Sequence, residues 1–158
     1  MKKWLLYAFA LVVVAALGYM PFSGSDVADL QPVELIYVKT VENGIEVRTD
    51  TGDLGRGEIL GQAFADLKAT AVGEVFLDTA DFLLIHQNDE ALLQELTGIL
   101  RPACNVCVIK EEIDMKAAAA YLRTGKTNVT LQQIRTGQGS APLLILDEGR
   151  MYLAWEEG

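Results

Sequence analysis

The longest unbroken apolar run in the chain follows a basic start, Met1-Lys2-Lys3. Residues 4–22 (WLLYAFALVVVAALGYMPF) carry no charge. About 19 residues make roughly 28 Å of helix, close to the hydrocarbon thickness of a bilayer. Residues 1–22 are therefore predicted to be a signal-anchor or signal segment. The lysines on its near side favour an orientation that leaves the rest of the chain outside the cytoplasm. Ala16-Leu17-Gly18 is a passable cleavage site, which would release a secreted protein. The apolar run continues through Tyr19, Met20 and Phe22, so an uncleaved, single-pass membrane anchor is the preferred reading. Residues 23–32 begin SGSD and read as a linker, and 33–158 as a single extracytoplasmic domain.

Inside that domain the apolar period switches repeatedly between 2 and 3.6. Residues 33–40 (VELIYVKT) and 45–49 read as a β-hairpin around Asn43-Gly44. Residues 51–57 (TGDLGRG) read as a flexible linker before a helix. No Gly-Lys-Ser/Thr follows, so they are not a phosphate loop. Ile59, Ala63, Phe64, Leu67 and Ala71 share one face of a helix over 58–72. A buried strand over 76–86 is centred on Phe82-Leu83-Leu84-Ile85. Asn88 is placed as the cap of a helix over 89–100, whose apolar face holds Leu92, Leu93 and Leu96. A strand spans 103–110, and Asp114 caps an alanine-rich helix over 115–122. Leu131 and Ile134 fit one turn of helix. A last hairpin pairs 141–146 with 151–155 around Asp147-Glu148-Gly149. The predicted order is ββ-α-β-α-β-α-ββ: an α/β (α+β) fold, a mixed sheet covered by three helices.

Composition supports an ordinary globular domain behind the anchor: the chain has 158 residues, 51% of them apolar and 22% charged. The net charge is −9, and Lys2 and Lys3 lie outside the domain, so the domain itself is more acidic still. Such a charge repels nucleic acid, which is excluded as a partner.

Candidate chemistry is sparse. Cys104-Asn105-Val106-Cys107 has the C-x-x-C spacing of a redox dithiol or half a zinc site. A redox pair needs its first Cys at a helix N-terminus, whereas the neighbouring valines read as a strand. There the two sulfurs point to opposite faces and cannot bond. Two small buried thiols are expected. The single imidazole, His86, ends a buried strand. Ser23, Ser25 and Ser140 lie in linkers or loops without an elbow motif. Asp78, Asp81, Asp89 and Glu90 could gather around a cation, but their spacing matches no EF-hand loop. Asn128-Val129-Thr130 fits a glycosylation sequon. No catalytic, cofactor-binding or metal residue is assigned, and no cofactor is expected.

The sequences GQAFADL (61–67), VFLD (75–78) and FLLI (82–85) form a pattern. LLQELTGILRP (92–102) follows, and then the strand over 104–109. With the opening hairpin LIYVKTVENGIEV (35–47) and the Ala/Leu segment over 117–122, this pattern resembles the N-terminal domain of the C subunit of spore germinant receptors, the Ger(x)C family. The likeness covers 33–122 and rests on apolar positions. Family members are lipoproteins with further domains; this chain has no cysteine to lipidate near its start. The resemblance implies a non-enzymatic, membrane-tethered accessory or assembly partner of a membrane complex. It implies no catalytic residue. The alternatives are a secreted or anchored ligand-binding module unrelated to sporulation and a thiol-based enzyme using Cys104 and Cys107.

Overall fold

The computed structural model describes residues 30–87, 89–125 and 129–155, together with Trp4, Tyr7, Phe9, Val12 and Val13. Most of the predicted 1–22 segment and most of the 23–32 linker lie outside the described residues. No described helix is long and apolar enough to cross a membrane.

The apolar runs form the centre of the sheet. Strands β2 (Leu35–Val41), β6 (Phe82–His86), β7 (Asn105–Ile109) and β8 (Leu143–Asp147) lie side by side and parallel. Four consecutive residues are buried in each of β2, β6 and β7. That is the signature of strands covered on both faces. Antiparallel wings extend this centre: β3 (Gly44–Thr49) and β4 (Leu54–Gly57) on one side, β9 (Arg150–Ala154) on the other. The strand order is β4-β3-β2-β6-β7-β8-β9. A separate parallel pair joins β1 (Leu30–Pro32) to β5 (Glu74–Phe76).

Helices α1 (Leu60–Thr70), α2 (Glu90–Leu96) and α4 (Leu131–Arg135) contribute Leu60, Ala63, Phe64, Leu67, Leu92, Leu93, Leu96 and Leu131 to one core layer, which includes Ile36, Leu83 and Val106. Helix α3 (Met115–Leu122) packs Ala118, Ala119 and Leu122 against the other face, over Leu35, Leu84 and Cys107.

The mixed α/β sheet is as predicted, but the order ββ-α-β-α-β-α-ββ is too short. The described residues hold four α-helices, and three strands, β1, β4 and β5, are additional. Leu30–Pro32, expected in the linker, forms β1. The predicted 51–57 linker ends in β4, hydrogen-bonded along β3. Its glycines serve close approach, not flexibility. A methyl group at Gly55 would stand 2.5 Å from the Leu67 nitrogen, and one at Gly57 2.5 Å from the Ala63 nitrogen. Helix α1 therefore lies directly on the backbone of β4. Ile59, assigned to the buried face, precedes the helix and is exposed, and Leu60 takes its place.

The predicted 76–86 strand is broken by a 3-10 turn at Leu77–Thr79. The first hairpin turns at Glu42-Asn43, one residue before the Asn-Gly signal. Asn88 lies outside the described residues; the N-cap of α2 is Asp89, whose carboxylate accepts from the Leu92 nitrogen at 3.1 Å. Asp114 caps α3 as expected, accepting from the Lys116 nitrogen at 2.9 Å.

Candidate functional site

Parallel strands bring their C-terminal ends to one side of the sheet, where open α/β folds commonly bind ligands. On the α3 face of that side, alternation fixes which side chains meet. Lys39 on β2 is opposite Glu46 on β3, and Glu46 is opposite Arg56 on β4. In the adjacent row Arg48 lies beside Tyr37, which lies beside Leu84. His86, the last residue of β6, and Glu112, beyond β7, complete the group.

Glu46 is a carboxylate only 5% exposed on the sheet. The Arg48 Nε donates to its Oε1 at 2.6 Å and the Arg56 Nε to its Oε2 at 2.9 Å. Burial pushes the Glu46 carboxyl up, but the hydrogen bonds from Arg56 and Arg48 outweigh it and hold it below the ordinary glutamate range. A buried charge persists only when paired in this way. Both oxygens are engaged, so Glu46 orients two guanidinium groups and is not a free base. Glu112 sits further out, 3.4 Å from the Lys39 Nζ and 3.8 Å from Arg48. Lys39, Arg48 and Arg56, from these two adjacent rows, form a local cationic ledge on an acidic protein.

Beneath it, the Tyr37 and His86 rings meet edge-on with centroids 6.4 Å apart. Tyr37 Oη and His86 Nδ1 are buried with no hydrogen-bond partner among the described residues. Leaving such an atom unsatisfied costs about 1–3 kcal/mol. The pair can therefore take up a small hydrogen-bonding group, of which water is the simplest. Burial, then the Glu112 charge, pushes the Tyr37 phenol up to about 12, so it remains a neutral donor. Gln87, next to His86, adopts a left-handed backbone with φ 69°; its N–H donates to the Ile109 carbonyl at 3.1 Å. This bend turns the chain out of β6 towards α2.

The residues singled out in the sequence do not converge. Cys104 and Cys107 are buried in different core layers, and burial pushes the Cys104 thiol up to about 12. Such a thiol is a poor nucleophile. Asp78 is exposed on the 3-10 turn, Asp81 pairs with Arg101, Asp89 caps α2, and Glu90 is exposed in its first turn. Among the described residues, no three His, Cys, Asp or Glu side chains are placed to hold a metal ion. Ser140 is exposed in the loop before β8, while Ser23, Ser25 and Asn128 lie outside the described residues. Thr130 caps α4, its hydroxyl accepting from the Gln133 nitrogen. The cationic ledge escaped the sequence reading. Its signal was the alternation in Gly44–Thr49, which sets Glu46 and Arg48 on the face opposite Ile45 and Val47.

The opposite end of the sheet exposes apolar side chains instead. Leu146, Tyr152 and Trp155 are 39%, 43% and 55% exposed on and beside β8 and β9. Strand β9 is the sheet edge. Comparison with known protein families, curated proteins and solved structures yields no match.

Proposed function

We propose that the chain is a non-enzymatic, membrane-tethered domain outside the cytoplasm that works by contact with protein partners in a membrane complex, as its resemblance to the germinant-receptor C subunit suggests. The observation that carries this reading is the C-terminal hairpin. There Leu146 on β8, Tyr152 on the edge strand β9 and Trp155 just after it are exposed to solvent. Elsewhere, charged groups such as Glu46 and Glu34 are engaged by arginines. An exposed apolar edge is a surface suited to recruiting another polypeptide. The uncharged 4–22 run supplies the tether.

The test is a photo-crosslinking amino acid placed at Tyr152 of the full chain in its native membrane. Tyr152 should yield a discrete protein adduct, and the same group at His86 should not. Protease added to intact cells should digest the domain. Absence of any adduct at Tyr152, or protection of the domain from outside protease, would overturn the proposal.

A further inference from the structure

The two edges of the sheet are built differently. β4 is short, carries Arg56 and is hugged by α1, devices that discourage strand addition. β9 has no helix seated on its backbone, and its one charge, Arg150, lies at its first residue beside the hairpin turn. From Met151 to Trp155 (MYLAW) it carries no charge and no proline.

The hairpin fixes which of its backbone groups face outward. Glu148 and Gly149 have φ of 46° and 78°, a two-residue turn closed by Asp147 and Arg150. In such a hairpin the closing pair exchanges hydrogen bonds and every second pair does so after it. Arg150, Tyr152 and Ala154 thus bond to β8, and Met151, Leu153 and Trp155 turn their N–H and C=O groups away from the sheet.

We propose that this edge pairs with β9 of a second copy of the chain, antiparallel, about a twofold axis through Leu153. The inference rests on the proposed function and names the partner of its contact surface. In this register Leu153 faces its own counterpart, and Met151 faces the other copy's Trp155. All three residue types present outward backbone groups, so each such pair can exchange hydrogen bonds. Met151, Leu153 and Trp155 share one face of the strand and form a continuous apolar stripe across the seam. On the other face Tyr152 lies beside the small Ala154. An acidic chain of net charge −9 repels its own copies over most of its surface, which favours a seam confined to the uncharged stretch from Met151 to Trp155. A twofold pair also closes, because it consumes both copies of the unguarded edge.

The experiment uses the full chain in mild detergent. Sedimentation velocity should give the mass of two chains. Met151→Pro removes an outward N–H and no bond to β8, so it should halve that mass with an unchanged circular dichroism spectrum. Oxidation of Leu153→Cys should give a covalent dimer, since hydrogen-bonded partners sit about 5.5 Å apart at Cα, within disulfide range. Should Leu153→Cys not fold, a mixture of Met151→Cys and Trp155→Cys chains should cross-link where neither does alone. A single-chain mass for the native protein, or a dimer that survives Met151→Pro, overturns the inference. The Tyr152 photo-adduct separates it from the broader reading. An adduct of twice the chain mass supports both, an adduct with a different polypeptide sinks only self-pairing, and no adduct sinks both.

Discussion

Replacing Gly55 by alanine tests whether residues 51–57 are a flexible link or a strand seated under a helix. The added methyl would stand 2.5 Å from the Leu67 nitrogen and 2.6 Å from its Cβ, and closer still to the Ala63 carbonyl oxygen. Carbon contacts are comfortable at roughly 3.5 Å and beyond, so α1 must retreat by about 1 Å. The atoms struck are helix backbone, which cannot swing aside as a long side chain would. Retreat loosens Leu60, Ala63, Phe64 and Leu67, all at most 5% exposed in the main core layer. Overpacking alone costs about 1–3 kcal/mol, and the opened contacts add to it, giving about 2–4 kcal/mol in total. In urea this should lower the unfolding midpoint by roughly 1–2 M. The matched control is Gly61→Ala, near the start of α1, where nothing lies within 4 Å of the added carbon. There alanine should stabilise by about 0.5–1 kcal/mol through helix propensity and a less flexible unfolded chain. Circular dichroism of the full chain in detergent at increasing urea reads both shifts. A Gly55→Ala protein as stable as the native one would refute the seated-strand account, because a flexible linker tolerates alanine.

Leu83 is fully buried in the second parallel strand, so Leu83→Asp should cost more than about 4 kcal/mol and abolish a cooperative melt followed by circular dichroism. Cys104 and Tyr37 each titrate near 12 in the fold, above their ordinary values. Raised folded values mean that stability is present below the ordinary values and is lost as pH climbs through the folded ones. Urea midpoints should therefore fall between the ordinary thiol range and about pH 12, and iodoacetamide at neutral pH should label Cys104 only after unfolding. The Arg123 hydrogen bond holds the Glu34 carboxyl below its ordinary range, outweighing burial. A lowered folded value contributes stability above the ordinary glutamate range that disappears as pH falls through the folded value. The melting-temperature gap between the native chain and Glu34→Gln should accordingly narrow in acid, and a gap that widens would contradict the pairing.

Much of the fold was legible because its causes are local. Runs such as Phe82–Ile85 and Val106–Ile109 announce doubly buried strands, since each residue must find an apolar face. The capping carboxylate of Asp114 and the Asp147-Glu148-Gly149 turn are read from side chains that act within a few residues of themselves. The C-x-x-C spacing was settled equally locally: a strand sends Cys104 and Cys107 to different layers. The candidate site was not legible. Lys39, Glu46 and Arg56 are scattered along the sequence, and only the pairing of β2, β3 and β4 lines them into one row. Nor does any local signal say that Tyr37 meets His86, that Gly55 lies under α1, or that Leu30–Pro32 finds a partner in β5. Period and capping are set by neighbours in the chain, whereas register, strand order and the choice of edge are set by how distant segments bury their faces together. The sequence by itself therefore determined the central strands, the helices that cover them and most of the faces they bury. Which charges meet, and which edge is left to pair, was decided only when those faces closed on one another.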